Sequence, residues 1–455
     1  MKQAPHAEPK DYLIDLLVCP FCGGKLATQS GEIAGTLEYG ILACYCSYYP
    51  VVAGIPVLKK GVIGTEGQTV DQVNAFISSG RGRDALLAMI MPPPKPNWID
   101  SLPNVTGIYR LKRLARDRRK SQWRERAALS LLDKNQSARA LFDFYFKRSG
   151  VQAGDEYNYW VNHFSQPRHL VGLSFANLID RPRKPVLDLA CGYGYITRYL
   201  ESRANGQLLI AADREFFKLY VAKRWFSVGA RYLCCDADVA LPFADDAFSA
   251  IFCSDAFHFF TGKVTCIREL KRLSGSDGII LLVSIVNSLA KGHNIERRPL
   301  PDGYEAMLNG MPHRMVSHRA VMERYVEKQG PPLARSTEMT VLLEDMWFSI
   351  VASYREELFK DHEGPEDWPH AQGRLELNPL YTSEHPPSNG IVRLHKKFPS
   401  SWYETENGGF KQERYLPEEV VLEHRVLADL KQGHRTPAVE RLIEQCVVVG
   451  VPEHY

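Results

Sequence analysis

The sequence has no apolar run that approaches the roughly 18 residues needed to span a bilayer. Its start, "MKQAPHAEPKDYLIDLLVCP", also lacks an uninterrupted apolar stretch, because Asp11 and Asp15 fall within it, so we expect no signal peptide. Ten cysteines in 455 residues, few of them at paired spacings, argue against a disulfide scaffold and favour a reducing compartment. These absences predict a cytoplasmic globular protein that does not use a membrane.

A large excess of one charge is also missing, since the net charge is +3. The charge is unevenly placed: residues 61–185 hold 20 Lys and Arg against 11 Asp and Glu, whereas residues 291–455 hold 20 against 26. A protein that lies broadly on nucleic acid is usually basic over most of its contact surface. Only the first of these segments meets that condition.

Shifts in composition divide the chain into four parts. Residues 11–60 combine strand-like apolar runs with glycines and four cysteines, and residues 61–156 look mostly helical. Residues 157–290 alternate strand-like and helix-like segments, a pattern that predicts a parallel sheet. Residues 291–455 mix Pro- and Gly-rich loops with stretches that we predict to be helical, such as "MTVLLEDMWFSIVASYREELF".

The stretch "VLDLACGYGYITRYL", residues 186–200, predicts a strand, a tight turn and the start of a helix. Its first four residues read as a short buried strand, and apolar residues recur later at helical spacing. Gly192 and Gly194 remove side chains where the backbone must turn or approach a ligand. Such a turn before a helix is the usual place for a nucleotide-like ligand in an α/β sheet, although a tight turn without a ligand can use the same glycines.

Acidic residues end the next strand-like runs. Asp213 closes "LLIAAD" nineteen residues after Gly194, and Asp236 follows the third run. A carboxylate at the tip of the second strand can accept two hydrogen bonds from ribose hydroxyls. Each Asp alone reads equally well as a helix cap or turn residue, but Asp188, Asp213 and Asp236 in this order indicate a ligand site.

At this point the chain resembles the class I S-adenosylmethionine (SAM)-dependent methyltransferases over roughly residues 157–290. "VLDLACGYG" is similar to their first motif and "LPFADDAFSAIFCSDAFHFF" to the signature after their fourth strand. The resemblance implies that Asp213 binds the ribose and that Asp236, with the backbone at Ala237, contacts the adenine. The cofactor-binding residues that it implies are Asp188, Ala190, Gly192, Gly194, Asp213, Arg214, Asp236, Ala237 and Ser254.

The resemblance also implies an upstream helix over the cofactor, for which Tyr157, Trp160 and Arg168 are candidates, although packing residues would fit the same positions. A nicotinamide-binding Rossmann enzyme competes for the glycine motif. Its G-x-G-x-x-G fingerprint lacks the third glycine here, since position 197 is Thr. We therefore expect a class I methyltransferase.

The N-terminal cysteines raise the question of a metal. Cys19 and Cys22 form a C-x2-C pair, and Cys44 and Cys46 follow as C-x-C. Two pairs of thiolates are an ordinary route to a structural zinc. The segment resembles the small zinc-ribbon proteins that activate tRNA and release-factor methyltransferases, but their second pair is also C-x2-C. A zinc site and a degenerate ribbon held by apolar residues both remain open.

These parts combine into one expected fold: an α/β chain with a Rossmann-like class I methyltransferase sheet, a small N-terminal zinc-ribbon-like domain, a helical linker region and an α+β C-terminal extension. For catalysis we consider His258, just past the fourth strand, as a general base, with Asp255 one turn earlier. His258 would serve equally as a packing residue. A base is needed only when the acceptor is weakly acidic.

Three functions fit this reading. The first is methylation of a small-molecule, natural-product or peptide acceptor on O, N or C, with residues 291–455 as a cap over the substrate. The second is methylation of RNA, supported by the ribbon and by the basic segment 110–126, which has nine Lys and Arg around Trp123. That segment reads equally as a solvated helix face or a partner of the acidic C-terminal region. The third is a protein of the same fold that binds without transferring methyl.

Overall fold

The computed structural model describes residues 12–31, 37–101, 109–151, 154–288, 299–383 and 390–455. The expected start of the N-terminal domain at residue 11 and the expected boundary at residue 290 lie outside these residues. None of the helices in the described ranges combines the length and apolar character of a bilayer span.

The N-terminal part forms a small antiparallel sheet after the short helix α1 (Tyr12–Leu16). The strands, adjacent in space in chain order, are β1 (Ala27–Gly31), β2 (Gly40–Ala43), β3 (Tyr48–Val52) and β4 (Ile55–Pro56). The chain then joins the main sheet: Val57 pairs in parallel with Cys234, and the Leu58 N–H donates to the Cys234 carbonyl at 2.8 Å. Backbone hydrogen bonds therefore attach the N-terminal sheet to the rest of the protein.

A helical region follows, as the sequence predicted. Its helices are α2 (Val70–Ser78), α3 (Gly82–Ile90), α4 (Trp98–Ser101), α5 (Tyr109–Leu132), α6 (Ala138–Phe142), α7 (Glu156–Val161) and α8 (Pro167–Ala176). A capping box starts α2, because the Thr69 hydroxyl accepts from the Gln72 N–H and the Gln72 amide oxygen accepts from the Thr69 N–H. The prolines at 92–96 separate α3 from α4, since proline cannot continue a helix.

The main sheet has seven strands, and the expected Rossmann-like fold is confirmed. In chain order they are β5 (Val186–Leu189), β6 (Leu209–Asp213), β7 (Arg231–Cys234), β8 (Ala250–Ser254), β9 (Ile279–Val286), β10 (His313–Ser317) and β11 (Trp347–Ala352). In space the order is β10-β11-β9-β8-β5-β6-β7. β5 to β9 run parallel, whereas β10 and β11 are antiparallel to their neighbours, so the sheet is mixed.

Helices α9 (Tyr195–Arg203), α10 (Phe216–Val221) and α11 (Lys263–Ser274) connect the parallel strands. β5 and β9 are buried along their whole length, as strands covered on both faces must be. The strand order reverses at β5, whose neighbours are β6 and β8. This is the switch point at which open α/β sheets hold ligands.

The stretch 339–359, which we expected to be helical, is only partly so. It forms α14 (Met339–Glu344) and then β11, which is buried throughout and lies between β9 and β10. Aromatic and β-branched residues suit a strand that is covered on both faces, and tertiary pairing decides against the helix. Two strands of the main sheet thus come from the segment expected to be an extension, so the sheet continues past residue 290.

The C-terminal part also contains helices and strands that lie outside the main sheet. The helices are α12 (Pro301–Leu308), α13 (His318–Val326), α15 (Ser401–Asn407), α16 (His424–Lys431) and α17 (Pro437–Glu444). The strands are β12 (Arg374–Leu377), β13 (Tyr381–Ser383), β14 (Ile391–Lys396), β15 (Glu419–Glu423) and β16 (Val448–Val451). β12 pairs with β16, and β13, β14 and β15 form a third antiparallel sheet.

Candidate active site

A cavity of about 750 Å³ opens at the carboxyl ends of β5, β6, β7 and β8. Parallel strands bring their carboxyl ends to one edge of the sheet, so residues distant in sequence meet there. Eight of the nine residues predicted to bind a cofactor line this cavity: Asp188, Ala190, Gly192, Asp213, Arg214, Asp236, Ala237 and Ser254.

The Gly-rich turn after β5 shapes one wall. Gly192 and Gly194 have positive φ, which glycine adopts without strain. Ala190, just before them, also has a positive φ, of 59°. The Gly192 N–H donates to Asp213 Oδ2 at 2.9 Å and so ties the turn to the end of β6. Gly194 does not line the cavity: it caps α9, and a Cβ there would lie 3.0 Å from the Cβ of Ala222. Gly194 therefore permits close helix packing, and its contact with a cofactor stays a prediction.

Two buried carboxyl groups lie side by side at this wall. Asp188 accepts a hydrogen bond of 2.5 Å from the Thr197 hydroxyl, and burial, with a contribution from Asp213, raises its pKa to about 7. Asp213 accepts from the Glu215 N–H at 2.8 Å as well as from the turn, and burial raises its pKa also. Negative charge held out of water is costly, so the site suits a ligand that supplies hydroxyl groups or positive charge.

Asp255 lies on the other side of the cavity, in a left-handed backbone conformation with φ 53°. The Tyr159 hydroxyl donates to its Oδ2 at 2.6 Å, and the Arg168 guanidinium lies 3.3 Å away. Arg168 also faces Glu406 of α15 at 3.6 Å and stacks over the ring of Trp347 at 4.5 Å. This carboxylate is therefore fixed by its neighbours, which suits a positioning role.

His258 follows on the short 3-10 turn after β8 and is buried. Its ring lies 4.1 Å from that of Phe259 and 5.6 Å from that of Trp347, centre to centre. The structure thus brings His258 and Asp255 to the same cavity as the three strand-end carboxylates.

Of the residues predicted on the covering helix, Trp160 and Arg168 line the cavity and Tyr157 does not. The Tyr157 hydroxyl instead donates to Asp143 at 2.6 Å. Sequence reasoning missed many of the lining residues, among them Tyr159, His163, His169, Trp347, Trp402 and Glu406. The first two are one helical turn apart in "YWVNH", and that spacing was a signal for a shared face.

Comparison with known proteins identifies the central part of the chain. Residues 187–282 match the family model described as a methyltransferase domain. The chain therefore carries a class I SAM-dependent methyltransferase domain. The match confirms the methyltransferase domain that the glycine motif predicted.

Two curated relatives, both methyltransferases, match part of this chain. The malonyl-acyl-carrier protein O-methyltransferase of Halorhodospira halophila is 34% identical over 104 residues, which cover 23% of this chain and 35% of that protein. The demethylmenaquinone methyltransferase of Thermus thermophilus is 32% identical over 108 residues, 23% of this chain and 49% of that protein. Both matches thus span less than half of the relative's length.

Solved structures of methyltransferases are similar at low identity. The plantazolicin methyltransferase BpumL in complex with S-adenosylhomocysteine (SAH) has 14% identity and a TM-score of 0.34, covering 48% of this chain and 95% of that one. A TehB-like SAM-dependent methyltransferase of Corynebacterium glutamicum has 15% identity and a TM-score of 0.30, covering 40% and 86%.

The four N-terminal cysteines come together beside the methyltransferase domain. Their sulfur atoms all lie within 4.8 Å of one another, and three Sγ–Sγ distances are 3.6, 3.6 and 3.8 Å. Zinc–sulfur bonds of about 2.3 Å in a tetrahedron place sulfurs about 3.8 Å apart. The C-x-C pair of Cys44 and Cys46 therefore still permits this geometry. The Tyr49 hydroxyl, 3.0 Å from Cys19 Sγ, would support it from outside.

The basic segment 110–126 lies on α5. Arg119 donates to Asp100 at 2.8 Å, and Arg124 pairs with Glu66, so part of its charge is neutralised within the helical region rather than by the C-terminal part. The indole of Trp123 donates to a backbone carbonyl and stacks on a neighbouring phenylalanine. Its ring is thus committed to packing, which favours the structural interpretation of this segment.

Proposed function

We propose that this chain is a SAM-dependent methyltransferase that methylates a small-molecule, natural-product or peptide acceptor on O, N or C. One observation carries the proposal. Asp188, Asp213 and Asp236 line a single cavity with the Gly192 turn, inside the stretch that matches the methyltransferase family.

In this proposal the cavity wall at β5 to β7 holds SAM, which when bound supplies a methyl group on a positively charged sulfur. Asp213 accepts hydrogen bonds from the ribose hydroxyls, and Asp236 with the backbone of Ala237 contacts the adenine. Asp188 and the Gly192 turn face the methionine part. The raised pKa of the two buried carboxyl groups supports this assignment, because a cationic ligand compensates the cost of their burial.

The opposite wall is assigned to the acceptor. Transfer of a methyl group requires that the acceptor is aligned with it and that water is excluded. Trp347 and Trp402 supply apolar surface that can align an acceptor and exclude water. His258 acts as the general base where the acceptor is weakly acidic. Asp255, held by Tyr159 and Arg168, is a positioning residue.

We favour an acceptor other than RNA. Trp402 and Glu406 of α15 line the cavity beside the residues of the methyltransferase domain, which suits an acceptor that fits inside. The two curated relatives are named for a malonyl-acyl-carrier protein and for demethylmenaquinone, and these names support the same choice. The ion pairs and packing of α5 give no support to an RNA-binding role for the basic segment.

We further propose that Cys19, Cys22, Cys44 and Cys46 bind zinc, because their sulfur atoms lie within 4.8 Å of one another. The zinc would be structural, because four protein ligands leave no open coordination position. The cytoplasm remains the compartment that we expect, since none of the ten cysteines, all of which lie in the described residues, is in a disulfide bond.

The decisive experiment supplies methyl-labelled SAM to the protein with a fractionated cell extract and counts RNA, protein and organic-soluble fractions separately. We expect label in the organic-soluble fraction or, for a peptide acceptor, in the protein fraction. Label in RNA would replace our choice of acceptor with the RNA alternative. SAH binding by calorimetry without transfer to any fraction would favour the non-catalytic alternative, and absence of SAH binding would refute the cofactor assignment.

A further inference from the structure

Helix α5 (Tyr109–Leu132) is exposed along most of its length. Its buried residues are Lys112, Ala127, Ala128 and Leu131. At about 1.5 Å per residue, its 24 residues form a rod about 36 Å long. A helix at the surface of a globular protein normally turns polar side chains to water. The outward side of α5 carries leucines as well as charges, so it does not follow this pattern.

Three leucines share the outward side of α5. Leu111, Leu114 and Leu129 have 67%, 66% and 72% of their surface exposed. Leu111 and Leu114 are one helical turn apart, and Leu129 follows Leu111 after about five turns of 3.6 residues, so the three side chains project in a similar direction. Trp123 lies on the other side, where its indole stacks on Phe144 with ring centres 5.5 Å apart. A partner that removed the leucines from water would gain hydrophobic free energy.

Three arginines lie beside this line of leucines. Arg110, Arg118 and Arg126 follow one another at intervals of eight residues, which turns each by about 80° from the one before. Arg118 therefore falls among the leucines, and the other two flank them. All three are exposed, and the ion pairs of α5 within the described ranges of the chain involve its other arginines. Glu125 is exposed on the same side, so arginines outnumber carboxylates there.

A partner for this side of α5 must accept both leucine side chains and guanidinium groups. The surface of a bilayer with anionic lipids does so, because apolar side chains enter between the lipids while arginines meet the phosphates. A nucleic acid would attract the arginines but leave the leucines in water. Trp123, the aromatic residue of the basic segment 110–126, is already stacked on Phe144 and gives no platform for a base.

We propose that α5 binds the surface of a membrane that contains anionic lipids, with its three outward leucines among the headgroups and its three outward arginines at the lipid phosphates. The sequence led us to expect a protein that does not use a membrane. That expectation rested on the lack of a spanning segment, and binding at the surface needs none. The inference does not depend on the proposed function, because α5 contributes no residue to the lining of the cavity.

The test is sedimentation of the full chain with vesicles, at low ionic strength and with added salt. Vesicles of phosphatidylcholine with about one third phosphatidylglycerol should bind the protein about tenfold more strongly than phosphatidylcholine alone, because the arginines are attracted to the anionic surface. Added salt should weaken this binding. The inference would be overturned by equal sedimentation with both kinds of vesicle or by none with the anionic ones. Retention of a single-stranded RNA in place of the vesicles would also overturn it.

Variants with matched controls locate the contact. Leu111→Ser combined with Leu114→Ser should lower binding to the anionic vesicles about tenfold, whereas Val264→Ser, at an exposed apolar position on α11, should leave it unchanged. Arg118→Gln should lower it about fivefold, whereas Arg335→Gln, at an exposed position outside α5, should not. Because all five side chains are exposed, urea unfolding of each variant should match that of the original protein. Equal effects of a variant and its control, or full binding by the leucine variant, would refute the contact.

Discussion

Substitution of Asp188 by Asn tests whether burial of the ionised Asp188 carboxyl lowers the free energy of unfolding. The carboxyl is 2% exposed, and its pKa rises from 3.8 to about 7 because of burial and the neighbouring Asp213. Between these two values the unfolded chain has lost the proton while the folded protein keeps it. The free energy of unfolding therefore decreases, through Asp188, as the pH rises from about 4 to 7.

The size of the effect follows from the shift. Each pKa unit corresponds to about 1.4 kcal/mol, so the whole shift amounts to on the order of 4 kcal/mol. Asn has no charge to bury and keeps an oxygen that can accept from Thr197. We expect Asp188→Asn to gain stability relative to the unsubstituted protein as the pH increases, with most of the gain present above pH 7.

The assay is urea unfolding followed by circular dichroism, at several pH values between 4 and 9 and without cofactor. All other titrating groups are common to both proteins, so their pH dependence cancels in the difference except for that of Asp213, which interacts with Asp188. Asp277→Asn, in the exposed turn before β9, is the matched control and should show no such gain. A difference between Asp188→Asn and the original protein that does not vary with pH would refute the reasoning.

Three further outcomes follow from the site. Asp213→Asn should weaken SAH binding by about 1.5–3 kcal/mol in calorimetry, because charge-assisted hydrogen bonds to the ribose are lost; unchanged affinity would contradict the ribose assignment. Cys46→Ser should reduce zinc from one atom per chain to a trace by elemental analysis, whereas Cys446→Ser, a buried thiol outside the cluster, should retain it. Trp402→Ala should raise the KM for the acceptor and leave SAH affinity within about twofold, since it removes one face of the acceptor wall; a large loss of SAH affinity would mean that this side chain contacts the cofactor.

The cofactor side of the cavity could be predicted because its signals are local. Asp188 and Gly192 follow one strand directly, and Asp213 and Asp236 end the next two. Parallel strands then bring these ends together without further information. Of the nine residues predicted to bind the cofactor, Gly194 is the one that does not line the cavity, and the same glycine pattern serves both ligand approach and helix packing.

The acceptor side could not be predicted in the same way. Glu406 reaches Arg168 from α15, more than two hundred residues further along the chain, and no short spacing encodes that contact. The misassignment of β11 has a related cause. Its apolar run fits a buried helix as well as a strand, and only the pairing with β9 and β10 decides.

The hydrogen bond between Leu58 and Cys234 has a consequence for the whole chain. β7 is one of the two edge strands of the main sheet, and Val57 pairs with its last residue, Cys234. An uncovered edge strand presents free backbone groups with which another molecule can pair. Residues 57 and 58 therefore cover the backbone of β7 at its carboxyl end. We expect loss of this contact to leave the end of β7 open to pairing with another chain, which would be detected as oligomers in solution.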